Sequence, residues 1–158
     1  MALQRISSAL ITDATVATGD IADDAITAAK LDAAALAAGT FSGSVQFSGA
    51  VTLNEDTLTD GSTVSWDVTA SPVAKLTLGG NRTLSAPSNA VGAGQYISLL
   101  VIQDSTGSRT LTWNAAYEFK DDTAPTLTTT ASKGDLFTFR YNGSKWLETG
   151  RNQNLTLS

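Results

Sequence analysis

The chain has 158 residues, enough for one domain of ordinary size plus an arm. It holds no cysteine and no histidine, which excludes a disulfide framework, a thiolate zinc site, a cysteine nucleophile and the commonest general base. A net charge of −5 argues against a nucleic-acid partner, and no apolar run has the length of a membrane-spanning helix.

Residues 1–40 form one compositional block, rich in Ala, Thr and Asp, without an aromatic residue or a proline. Apolar residues recur there every five positions: Ile6, Ile11, Val16, Ile21, Ile26, Leu31 and Leu36. On a helix, steps of five drift round the axis instead of forming a stripe, and on a strand they alternate between faces. Such a row cannot bury itself. It predicts an arm that packs on sister copies or on the surface of a larger assembly, with an unstructured tail as the alternative. Within the arm, Thr27 is a candidate N-cap and Gly39 a candidate C-terminal cap for a short Ala-rich helix over 28–38. Upstream of Thr27, β-branched residues and Gly19 predict an extended path.

From Phe41 onward the pattern is β, and 41–158 is the expected body. Ser44–Ser48 and Ala50–Leu53 alternate around Gly49. Asp60-Gly61 signals a turn, Thr63–Val68 and Val73–Leu78 alternate as strands, and Arg82–Leu84 runs up to Pro87. Gln95–Gln103 is the most continuously apolar run and belongs in a core. Arg109–Trp113 and Tyr117–Phe119 follow as shorter strands. Leu136–Tyr141 and Lys145–Thr149 flank Asn142-Gly143, the strongest hairpin signal in the chain. Many short strands with frequent turns predict a mostly β fold: a jelly-roll-like antiparallel β-sandwich with an extended N-terminal arm.

Two stretches carry a family resemblance. Asp23-Asp24-Ala25-Ile26-Thr27-Ala28-Ala29-Lys30-Leu31 resembles a connector of tailed-phage fibre and decoration proteins. Lys75–Leu84 with its Gly79-Gly80-Asn81 turn, Gly134-Asp135 and Asn142-Gly143-Ser144-Lys145-Trp146 resemble a β module of phage virion proteins. The resemblance implies a homotrimer, a β-sandwich body and no catalysis. The brevity of the chain favours a capsid cement or decoration protein that clamps neighbouring major capsid subunits through its arm. The alternative is a short tail fibre or adhesin, its arm anchored to another virion protein and its body on a host-surface glycan. The start, Met1-Ala2-Leu3-Gln4-Arg5, has no apolar signal core, so assembly into the virion is expected in the host cytoplasm.

Candidate sites follow from this reading. The arm residues Ile6, Ile11, Val16, Ile21, Ile26, Leu31 and Leu36 are the expected partner-binding row. Tyr117, Tyr141 and Trp146 are candidate glycan-stacking aromatics, with core packing as the competing role. Asp121-Asp122 with Asp60, Asp67 and Asp104 lack the spacing of a calcium loop and read as solvated carboxylates. No cofactor, metal site or catalytic residue is expected.

Overall fold

The structure, a computed structural model, describes Gln46 and residues 48–157. The pentad residues Ile6 to Leu36, the helix expected at 28–38 and most of the Ser44–Ser48 stretch lie outside the described residues. The body is the unit Ala50–Ser158.

Nine strands build it: β1 (Glu55–Thr57), β2 (Thr63–Val64), β3 (Val73–Leu78), β4 (Arg82–Leu84), β5 (Tyr96–Gln103), β6 (Leu111–Trp113), β7 (Tyr117–Glu118), β8 (Lys133–Tyr141) and β9 (Trp146–Thr156). They form a six-stranded sheet, in the order β1-β3-β5-β8-β9-β7, and a three-stranded sheet, β2-β4-β6. The mostly β, two-sheet body expected from the alternation is what the chain forms. Its connectivity adds something that alternation does not carry. From β1 to β6 the chain crosses to the opposite sheet at every step, so it winds through three rungs: β1 with β2, β3 with β4, β5 with β6. Five of the seven ladders are therefore parallel. Only β5–β8 and β8–β9 are antiparallel. Inward and outward residues alternate with the same period in either ladder type, so sequence pattern cannot separate coil from hairpin.

The register sorts side chains into columns. Val64 and Leu84 face inward and are buried, while Thr63, Thr83 and Thr112 stand in one exposed column on the small sheet. Along β5, Ile97, Leu99, Val101 and Gln103 point into the core, between the half-buried Ser98, Leu100 and Ile102. Ile97, Leu99 and Val101 join Leu76, Leu78, Phe137 and Phe139 in one apolar cluster that also holds Val64 and Leu84 of the small sheet. Each such side chain contributes roughly 1.5–3 kcal/mol of burial. Trp113 packs edge-on against Tyr117, Phe119 and Phe137, with ring centroids 5.2, 5.1 and 5.0 Å away. Edge-to-face contacts of this kind add to area burial.

One expected strand is absent. Ala50–Leu53 pairs with nothing among the described residues, and Val51 and Leu53 are more than half exposed. Alternation without a ladder partner does not make a strand.

Candidate functional site

Three loops meet at the end of the body where β8 turns into β9. The Asn142–Lys145 turn is closed by its own asparagine: Asn142 Oδ1 accepts from Ser144 N at 2.9 Å and from Lys145 N at 2.7 Å. Gly143 has φ of 100°, a conformation that glycine adopts without strain. The loop before β5 lies alongside, since Tyr141 N donates to Gln95 O and Gly94 N donates to Tyr141 O, both at 2.8 Å. From the other side, Trp146 N donates to Ala116 O at 2.8 Å, which draws β7 and the 3₁₀ turn Lys120–Asp122 to the same end.

The three candidate aromatics share one row, Tyr117 beside Trp146 beside Tyr141. Their exposures differ. Tyr117 is 4% exposed and Trp146 2%, so both rings belong to the core. Burial pushes the Tyr117 phenol well above its ordinary pKa. Its hydroxyl has no partner among the described residues. Only Tyr141 keeps part of its ring at the surface, resting on Trp146 with centroids 4.8 Å apart and donating from its hydroxyl to Gly143 O at 3.0 Å.

Charge gathers next to that ring. Lys145 Nζ donates to Glu118 Oε2 at 2.6 Å, across 27 positions of sequence. This bond to the lysine holds the Glu118 carboxyl below its ordinary pKa, whereas sharing a hydrogen bond with Glu118 holds Asp122 above it. Asp121 and Asp122 both have positive φ, 56° and 53°, and lie exposed beside the pair. The arrangement offers one flat apolar ring, several acceptors and two cations, Lys145 and Lys120, the latter 4.0 Å from Asp121, a set that suits a hydroxyl-rich ligand. Lys145 lies in the Asn142–Trp146 motif and Glu118 in a short strand, but nothing in either stretch signals that the two side chains meet across 27 positions. Among the described residues, no three acidic side chains are placed to hold a metal ion.

Residues 57–146 match the family described as "Putative phage tail fibre C-terminal domain". That stretch is more than half of the chain and runs from β1 to the start of β9. The chain belongs to this phage tail fibre family. No curated protein and no solved structure gives a match. Membership makes the protein a structural component of a phage virion. The matched stretch of the fibre domain contains both the coiled rungs and the Tyr141 loop end.

Several carboxylates of the fibre domain have a pKa below the ordinary value of 3.8. Asp60 and Asp104 are held down by hydrogen bonds from Arg82 and Arg109, and Asp67 by Thr69. Groups lowered in the folded state stabilise it above their unfolded pKa, and that stability is lost as pH falls through the folded value. The raised Asp122 acts in the opposite direction but is one group against four, counting Glu118. The melting temperature is expected to hold between about pH 7 and 5 and to drop as pH falls below about 4. Asp104→Asn should make the drop shallower. Thermal melts across this range check it, and a melting temperature that rises on acidification refutes the assignment.

Proposed function

We propose that this protein is a short tail fibre or adhesin whose β body meets a glycan on the host surface. The observation that carries this reading is the family match across the body; it favours the fibre over capsid cement as the virion role. The glycan contact is the β8–β9 loop end. The exposed part of Tyr141 stacks on a sugar ring, and the carboxylates of Asp121 and Asp122 accept from its hydroxyls. The fibre acts as a homotrimer, and the pentad row Ile6 to Leu36 anchors it to another virion protein.

Binding of the purified full-length chain to host cells tests the glycan contact. Tyr141→Ala is expected to weaken binding at least about tenfold, in line with the ~1.4 kcal/mol that a stacked aromatic contributes. Because Tyr141 is half-buried, its thermal melt is compared in parallel, and Asp122→Asn provides a second variant that leaves the ring in place. Undiminished binding by both variants overturns the placement of the site. Sedimentation tests the oligomer: the expected species has three times the 16.3 kDa of one chain.

A further inference from the structure

The first rung of the coil has an edge that no strand covers among the described residues. β1 ends the large sheet and β2 ends the small one, so among the described residues each has a neighbour on one side only. Leu58 N donates to Lys75 O, while Thr83 N and Ser85 N donate to Ser62 O and Val64 O. Neighbouring residues of a strand turn their backbone groups to opposite edges. The N–H and C=O groups of Glu55, Thr57, Thr63 and Ser65 therefore point away from the stack, and they have no partner among the described residues. A cleft of about 350 Å³ opens along this edge, lined by Asp56, Leu58 and Thr59 as well as Thr57, Thr63 and Ser65.

Asp56 gives the cleft its chemistry. It is in register with Ala74, which is in turn in register with Leu99, and both are buried, so its carboxylate lies on the inward column at the mouth of the core. The acidic residues around it have basic partners: Glu55 with Lys75 at 2.8 Å and Asp60 with Arg82 at 2.7 Å. Half-buried Asp56 meets no cation and no hydrogen-bond donor among the described residues. Stacked repeats need a cap on their terminal unit, and sheet edges left open are otherwise blunted.

We propose that this edge accepts one extended strand of a partner protein, laid along β2 and carrying a lysine or arginine that pairs with Asp56. The free backbone groups of Thr63 and Ser65 supply the ladder, and the Asp56 carboxylate, facing inward from the opposite sheet, sets the register by demanding a cation at one position. Thr57, Thr63 and Ser65 are small, so a strand can approach to the usual ~4.8 Å. This docking edge stands apart from the Tyr141 loop end and does not depend on glycan binding.

The probes are a synthetic decapeptide of alternating threonine and valine with one central lysine, and its twin with glutamate instead. Each is titrated into the full-length protein while amide hydrogen exchange is followed. The lysine peptide is expected to slow exchange at Thr63 and Ser65 of β2 and to leave Glu55 and Thr57 of the other sheet unchanged, and the glutamate peptide to bind about tenfold more weakly. Asp56→Lys should reverse that preference, and Asp56→Asn, the milder variant should the first fail to fold, should abolish it. The proposal falls if neither peptide slows exchange or if the two bind alike in the unaltered protein. It also falls if the Thr63 and Ser65 amides are protected before peptide is added, whether from within the chain or, with protection rising with protein concentration, by a second copy.

Discussion

Replacing Trp66 by alanine is expected to destabilise the body by about 3–5 kcal/mol. The indole is 1% exposed, and it continues the inward alternation of Val64 and Val68 on either side of it. Its Nε1 donates to Ser71 O at 3.0 Å, which ties the turn between β2 and β3 to the core. Alanine removes the largest side chain of the first rung and leaves the Ser71 carbonyl without that donor. Two-state domains of this size have only about 5–15 kcal/mol in total, so the loss is a large fraction of it. The melting temperature should fall by roughly 15–25 °C. Trp66→Phe separates the two causes, since it keeps most of the apolar volume and removes only the donor; a smaller loss of about 1–2 kcal/mol is expected. Denaturant melts of both variants check the pair of values. Equal losses would show that packing is not the larger part.

The second large effect is expected at Asp135. This carboxylate is 2% exposed and sits in β8 among buried apolar residues. Burying it is costly unless its oxygens are filled. They are: Oδ2 accepts from Thr128 N at 2.7 Å and from Gln153 Nε2 at 3.3 Å, and Oδ1 accepts from Asn154 N at 2.9 Å. The ladder between β8 and β9 shifts register at this point, between Gly134 and Leu136, and Asn154 has φ of 59°. One side chain thus joins the loop before β8 to an irregular stretch of β9. Asp135→Ala leaves two backbone donors, Thr128 N and Asn154 N, without their acceptor, while Gln153 Nε2 keeps Thr126 O at 2.7 Å; at roughly 1–3 kcal/mol for each buried group left unsatisfied, a total loss of about 3–4 kcal/mol is expected. Asp135→Asn should be nearly as harmful, because its amide nitrogen is a donor placed against donors. Urea melts decide this. An asparagine variant as stable as the parent would mean that shape, not acceptor chemistry, holds the junction.

Much of the body was legible in the residues. The alternation of Val73–Leu78, the apolar run before Gln103 and the Asn142-Gly143 turn each correspond to a strand or hairpin in place. These are local properties: a side chain's face depends on its parity along the strand, and a turn depends on which residues tolerate positive φ. Trp66 could be assigned to the core for the same reason, being in step with Val64 and Val68.

What local pattern could not reach was decided by the path of the chain. Whether β3 meets β5 side by side in parallel or through a hairpin depends on where the connection crosses, and both arrangements show the same alternation. Tyr117 and Trp146 are aromatic residues on short strands, equally suited to a core or a surface. They became core because β7 was laid against β9 with both rings turned inward, while Tyr141 in the same row kept an exposed edge. The Glu118–Lys145 pair and the Asp135 junction join residues 27, 7, 18 and 19 positions apart, a proximity that no spacing rule encodes. By itself the sequence determined the class of the fold and the inward face of its longer strands, because burial there follows composition and periodicity. Tertiary structure alone decided which polar groups meet and which strands lie side by side, because those depend on how distant segments are brought together.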